Sequence, residues 1–358
     1  MHPRRSCTDA VGYACEMRIG IIAPPSCAVP PTGYGGTESV LDRLARGLTH
    51  LGHEVVLFTT GDSECPVERR WLYETSDPGT MGDLEREVRH VLAAYEALDD
   101  VDVVHDNTML GLLRAPQFAP APVVSTNHGP FAGVFADLYR AVMDRVAVVA
   151  ISRHQASTAH GVRIAAVIHH GIDPEAFPIG HGDGGYFLFL GRMTPDKGAR
   201  EAALAARAAR LPLVMAAKMR EPAERAYFDE NVRPVLGGGV EYVGEVGHEQ
   251  KLALLRDAIA LVNPIRWPEP FGLVMIEAMA CGTPVIASPL GAAPEIVRHA
   301  ETGYLCRGHE DLVARMHEVA ALERNVCRAC VEHHFTTARM AREYAGLFER
   351  VAAPRLAA

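Results

Sequence analysis

The sequence predicts an α/β chain of two doubly wound domains, each with a parallel sheet. Three observations predict it. Short apolar runs that suit buried strands, such as residues 18–23, 54–60 and 213–217, alternate with longer stretches of helical spacing. Glycine-rich or polar segments follow these runs, at the strand ends where open α/β sheets bind ligands. The length of 358 residues exceeds one ordinary core and suits two of about 150 to 170, and a hydrophobic fraction of 48% is ample for both.

Composition narrows the partners. A formal net charge of −9 argues against nucleic acid and against broad adhesion to an anionic membrane. No apolar run reaches the roughly 18 residues of a membrane span, and residues 1–15 carry Pro, Arg and Asp where a secretory signal would carry an apolar core. The expectation is a cytoplasmic protein, with peripheral membrane contact and oligomeric state left open. The eight cysteines are scattered and fit reduced thiols. Cys327 and Cys330, followed by His333 and His334, have a zinc-like spacing. They share one amphipathic helix with no second Cys/His cluster to face it, so no metal site is expected.

In chain order, residues 1–16 are expected to form a disordered extension before the first strand. Pro24–Thr37 is a proline- and glycine-rich loop whose Gly35 and Gly36 amides can approach a ligand, and a helix follows from about Glu38 to Leu51. The loop lacks G-x-G-x-x-G, so Asp62 after the second strand is weak support for a dinucleotide site. Residues 64–83 read as an irregular loop leading into an amphipathic helix, Leu84–Leu98. Strands at 101–105 and 122–126 end in His105-Asp106-Asn107 and Asn127-His128-Gly129-Pro130, two polar clusters aimed at one crevice. A further strand, 145–151, leads to Ser152 as a helix cap. The neighbours His169 and His170 point to opposite sides of an extended segment, which suits a linker better than a metal site.

The second half opens with a strand at 186–190 and Gly191-Arg192-Met193-Thr194-Pro195-Asp196-Lys197-Gly198. Arg192 offers a forked donor and Lys197 a point charge, and the absence of G-x-x-x-x-G-K-[ST] excludes a P-loop kinase. Strands at 213–217 and 240–243 follow, the latter ending in Gly244-Glu245-Val246-Gly247-His248.

Residues 263–288 carry the most information. Pro264, Pro268 and Pro270 forbid regular structure, Phe271–Cys281 has helical spacing, and Gly282 and Pro284 end it. Glu269 falls just before this helix and Glu277 about five residues along, ~7.5 Å at the helical rise. The amides of Phe271, Gly272, Leu273 and Val274 can donate to a diphosphate at the helix N-terminus. Glu269 would then accept from the hydroxyls of a hexose and Glu277 from those of a ribose.

The E-x7-E pattern after Trp267-Pro268, continued by E-A-M-A-C-G-T-P-V-I-A, resembles the donor site of the retaining GT-B glycosyltransferases of family 4. The resemblance runs from residue 17 to about 350 and implies two Rossmann-like domains facing across a cleft. It implies an N-terminal acceptor-side domain at 17–170, a linker at 171–180 and a donor-binding domain at 181–334. A helix at 335–352 would cross back onto the first domain. It implies that His128 contacts the transferred sugar, that Gly35 and Gly36 face the diphosphate, and that Arg192 and Lys197 clamp it. The backbone of Val246 would hold the nucleobase, while His105, Asp106 and Asn107 would shape the acceptor pocket.

The expected reaction is transfer of a hexosyl group, of glucose or N-acetylglucosamine type, from a nucleotide diphosphate sugar to a hydroxyl acceptor, with retention. A soluble acceptor is favoured, and no metal or cofactor is expected. UDP is favoured over GDP, because guanine calls for a carboxylate where Gly247 and His248 stand. The competing readings are a nucleotide-sugar epimerase on the same fold and a non-catalytic sugar-nucleotide-binding protein.

Overall fold

The computed structural model describes residues 16–356 apart from 34, 116–118 and 120, so the expected extension before Glu16 lies outside the described residues. The first sheet is built from β1 (Arg18–Ile22), β2 (Glu54–Thr59), β3 (Glu68–Trp71), β4 (Val103–Asp106), β5 (Val123–Asn127), β6 (Val146–Ala150) and β7 (Ile164–Val167). Its order is β3-β2-β1-β4-β5-β6-β7, and the pairings are parallel. The helices between its strands are α1 (Gly36–His50), α2 (Leu84–Ala97), α3 (Gly133–Val142) and α4 (Arg153–Thr158).

The second sheet comprises β8 (Phe187–Arg192), β9 (Leu213–Lys218), β10 (Val240–Gly244), β11 (Leu261–Asn263), β12 (Val285–Ala287) and β13 (Gly303–Leu305), ordered β10-β9-β8-β11-β12-β13 and again parallel. Its helices are α5 (Ala199–Ala209), α6 (Pro222–Tyr227), α7 (His248–Asp257), α8 (Leu273–Ala280), α9 (Ala293–Ile296), α10 (His309–Glu318) and α11 (Arg324–His334), and the chain closes with α12 (Thr337–Leu356). Both orders reverse beside the first strand of the domain. The ligand crevices therefore open at the ends of β1 and β4 and of β8 and β11.

Each sheet is covered on both faces. In the first domain α1 buries Val40, Leu41, Leu44 and Leu48 on one face, while Val91, Tyr95 and Tyr139 from α2 and α3 cover the other. In the second, six alanines of α5 are buried, small enough to bring the helix close to its sheet. The last helix belongs to the first core: Met340, Tyr344 and Phe348 of α12 pack with Leu41 and Val124. Each such side chain is worth roughly 1.5–3 kcal/mol when fully buried.

The hinge is fastened as well as packed. Ile172 donates to Phe335 O and Thr337 donates to Ile172 O, so the outgoing and returning chains run side by side. Glu295 of α9 accepts from the amides of Arg153 (2.9 Å) and His154 (2.7 Å) at the start of α4, and its Oε2 lies 2.7 Å from His169 Nε2. Ser152 caps α4 by accepting from Gln155 N at 3.0 Å.

Two sequence expectations change here. Residues 64–83 are not wholly irregular, because Glu68–Trp71 forms the edge strand β3. Its Arg18, Glu68, Arg70 and Asp100 ion pairs replace the apolar pattern by which a strand is recognised. The helix expected from Phe271 begins at Leu273, since Gly272 at φ +94° turns the chain into it.

Candidate active site

The two domains present helix starts to each other. A Cβ placed on Gly36, the first residue of α1, would lie 3.5 Å from Leu273 Cδ1, the first residue of α8. Neither helix has a side-chain cap, so two positive dipole ends and their amides converge from opposite walls of the cleft. Glycine is required before α8: φ is +94° at Gly272, and a Cβ there would meet Met275 Cε at 2.7 Å.

Glu269 stands beside this helix start. Its Oε1 is paired with Lys197 Nζ, whereas its Oε2 is buried without a hydrogen-bond partner. The loop carrying it is braced by Gly291, where a Cβ would meet Glu269 O at 2.2 Å, and by Ala292 N donating to the same carbonyl at 3.0 Å. Lys197 ends the short turn Pro195–Lys197, with its ammonium 5.8 Å from the Trp267 ring. Arg192, at the end of β8, is half-exposed and 4.0 Å from Asp196.

Glu277 lies one turn into α8 and is also held by cations. Lys251 of α7 donates to its Oε1 at 2.9 Å, and Arg43 reaches the same oxygen from α1 of the other domain at 3.9 Å. Burial alone would raise this carboxyl, but Lys251 and Arg43 hold it below the usual range. Arg43 Nη1 is buried without a partner.

His128 follows β5. Its Nε2 is 2.9 Å from Asn107 Oδ1 and its ring stacks on His170 at 5.4 Å, which in turn meets the edge of Phe271 at 4.9 Å. Burial pushes His128 down to about 4 and His170 well below its usual value. Both imidazoles are neutral at neutral pH, and the Nδ1 of each is buried without a partner.

The loop after β10 lies against the first domain. Glu245 is gripped by Arg220 through bonds of 2.9 and 2.6 Å, and a Cβ on Gly33 would come within 3.2 Å of Arg220 Nη2. Val246 is half-buried beside this pair.

Of the expected pocket residues, Asn107 is buried but meets His128, whereas the His105 and Asp106 side chains are held inside the first domain. His105 is fully buried, bonded through Nε2 to Thr126 Oγ1 at 2.8 Å and packed on Tyr344 and Phe348 of α12. Asp106 accepts from Tyr95 OH (2.7 Å) and from Thr108 N and Oγ1 (2.8 and 2.7 Å) inside the domain. Their strand ends at the crevice, but the side chains turn into the core. Asp62 is equally occupied, accepting from Ser76 N and Oγ. Arg43, Lys251 and Arg220 gave no sequence signal: Arg43 meets Glu277 only across the domains, and Lys251 and Arg220 meet Glu277 and Glu245 only through the packing of the second domain, while His170 read as linker.

Residues 173–334 match the family described as Glycosyl transferases group 1, and residues 34–176 match Glycosyltransferase Family 4. The chain is 30% identical over 356 residues to the glycogen synthase of Mycobacterium tuberculosis, covering 81% of this chain and 82% of that one. The chain belongs to the group 1 glycosyltransferases. It is also 29% identical over 326 residues to the phosphatidyl-myo-inositol mannosyltransferase of Mycolicibacterium smegmatis, covering 81% and 80%. Among solved structures it superposes on AviGT4, a glycosyltransferase involved in avilamycin A biosynthesis, with a TM-score of 0.70 and 29% identity over 94% of this chain and 98% of that one. The fold of this glycosyltransferase is thus GT-B, with the crevices of its two sheets facing across the cleft. Among the described residues no helix is long and apolar enough to cross a membrane, and no group of three or more His, Cys, Asp or Glu side chains could hold a metal ion.

Proposed function

We propose that this glycosyltransferase moves a hexosyl group from a UDP-sugar to a hydroxyl acceptor with retention of configuration. One observation carries the reading. Two carboxylates, Glu269 and Glu277, flank the uncapped start of α8, each neutralised by its own lysine. The spacing suits a diphosphate between a hexose and a ribose, the orphan Oε2 of Glu269 receiving a sugar hydroxyl.

In this reading Arg192, Lys197 and the amides of the two helix starts, including those beside Gly35 and Gly36, stabilise charge that develops on the departing diphosphate. The bond from the anomeric carbon to the phosphate oxygen breaks. The acceptor oxygen bonds to the same face, and its proton passes to the departing phosphate oxygen. A protein nucleophile is not invoked: His128 is neutral and hydrogen-bonded, and Glu269 is engaged by Lys197. The charge is met by these cations and amides, so no metal is required.

The choice of UDP rests on the base loop. Guanine needs a carboxylate for N1 and N2, and the nearby Glu245 is already bound by both arms of Arg220. Uracil is satisfied by backbone N–H and C=O groups such as those of Val246.

The test is incubation with UDP- and GDP-hexoses, with and without a panel of hydroxyl acceptors, analysed by mass spectrometry and by the anomeric coupling of the product. Glycoside with retained configuration from a UDP-hexose, unaffected by chelator, supports the proposal. Altered sugar nucleotide formed without acceptor, an inverted product, or preference for GDP donors overturns it.

A further inference from the structure

We propose that Asn107 is a positioning residue that sets the tautomer of His128, keeping the proton on Nε2 and presenting Nδ1 as a hydrogen-bond acceptor to the transferred hexose. This rests on the reading that His128 touches the hexose.

The orientation follows from donor and acceptor rules. Asn107 sits directly after β4, fixed by its own amide donating to Ile22 O at 3.1 Å. Its side-chain Nδ2 donates to the backbone carbonyl of His105 at 3.2 Å. A carbonyl oxygen accepts only, so the amide nitrogen must face it and Oδ1 must face the other way. Oδ1 lies 2.9 Å from His128 Nε2. Because Oδ1 also accepts only, Nε2 has to carry the proton. In a neutral imidazole the second nitrogen then holds a lone pair. That nitrogen, Nδ1, is buried and has no partner in the protein.

The surroundings keep the ring neutral and hold its plane. His105 faces it from β4 and His170 from the linker, with His169, Arg43 of α1 and Arg339 of α12 around His170. These neighbours are neutral or cationic, so a second proton on His128 meets burial without a balancing carboxylate. The stack on His170, 5.4 Å apart and 18° from parallel, opposes rotation of the ring out of this plane. The chemical consequence is specific: His128 can accept from a sugar hydroxyl but cannot donate to the departing phosphate.

Asn107→Asp tests this directly. The shape is kept, but the carboxylate favours imidazolium, which protonates Nδ1 and converts it from acceptor to donor. A neighbouring opposite charge raises such a pKa by about 1–3 pH units. With UDP release from UDP-glucose to water as the assay, the acid limb of kcat/KM should move up by that amount, with activity restored at higher pH. Imidazole nitrogen NMR of the wild-type enzyme should show His128 protonated at Nε2 and bare at Nδ1. An unshifted profile in a folded Asn107→Asp variant, or wild-type spectra with the proton on Nδ1, overturns the proposal. The underlying reading fails separately: full UDP release by His128→Ala would remove His128 from the sugar. Impaired His128→Ala with an unshifted Asn107→Asp profile would reject the tautomer role alone.

Discussion

Lys197 Nζ meets Glu269 Oε1 in an ion pair whose side chains are only 12% and 14% exposed, so the two residues that the proposed function places on the diphosphate and on the hexose form one unit. Removing either partner strands the other. Arg192, half-exposed and 4.0 Å from its nearest acid, carries no such structural duty.

These two cations should therefore separate by stability. Arg192→Ala should lower kcat about 10²- to 10³-fold, the usual loss when a donor to developing charge is removed, with an unchanged melting temperature. Lys197→Ala should lose turnover to a similar degree and also cost roughly 3 kcal/mol, because an unpaired carboxylate is left buried. The double variant Lys197→Ala/Glu269→Gln should recover much of the stability and none of the turnover. Calorimetric melts of the three variants check this; a fully stable Lys197→Ala would show that the pair is not formed in solution.

Arg43 is the first domain's contact with Glu277, the carboxylate that the proposed function places on the ribose. Lys251→Ala should weaken UDP binding about tenfold or more, since it breaks a charge-assisted bond to Glu277. Arg43→Ala should weaken it by less in the isolated nucleotide, yet raise the KM for UDP-glucose, because its contact exists only when the domains face each other. Titration calorimetry beside steady-state kinetics distinguishes them. Equal effects of Arg43→Ala on the two measurements would argue against a closure-dependent role.

The histidines that burial shifts furthest govern the acid stability. Burial pushes His90 and His128 down to about 4 and His105 to about 3 from an ordinary 6.5, and holds His170 far below. From 6.5 down to about 4 the unfolded chain takes up protons that the folded chain refuses, so stability falls as pH falls through that window. Each such histidine contributes about 1.4 kcal/mol per pH unit once its unfolded form is protonated. Melting temperatures should drop steeply between pH 6.5 and 5, and His105→Gln should shallow the slope by about one proton. A flat profile over this range would contradict the neutral assignment of these rings.

How much of this was legible depends on what kind of information the residues carry. The segment from Asn263 to Ser288 declares itself because Pro264, Gly282 and Pro284 mark its turns, and the helix differs from expectation only at its ends, where Phe271, Gly272 and Cys281 fall outside it. The family and its fold were readable from the same segment. By contrast, β3 is hidden because an edge strand held by Arg18, Arg70 and Asp100 has no apolar alternation to see. His105 and His128 look alike in sequence, each close to the C-terminal end of a strand. They differ because Tyr344 and Phe348 cover the first, from a helix more than 200 residues away. Arg43 lies on an amphipathic helix like any other, and only the second domain gives its position a meaning.

The central claim is the direction of the donor along α8, with the ribose at Glu277 and the hexose at Glu269. Glu277 contacts a part of the donor that does not react, so its loss should weaken ground and transition state alike and appear chiefly in KM; loss of Glu269 should lower kcat more than it raises KM. The direct measurement is the affinity of UDP, which lacks the hexose, for Glu277→Ala and Glu269→Ala by titration calorimetry. UDP binding should fall about tenfold or more in Glu277→Ala and stay near wild type in Glu269→Ala. If UDP affinity instead drops with Glu269 and holds with Glu277, the nucleotide lies the other way along this helix and the assignment of the site is wrong.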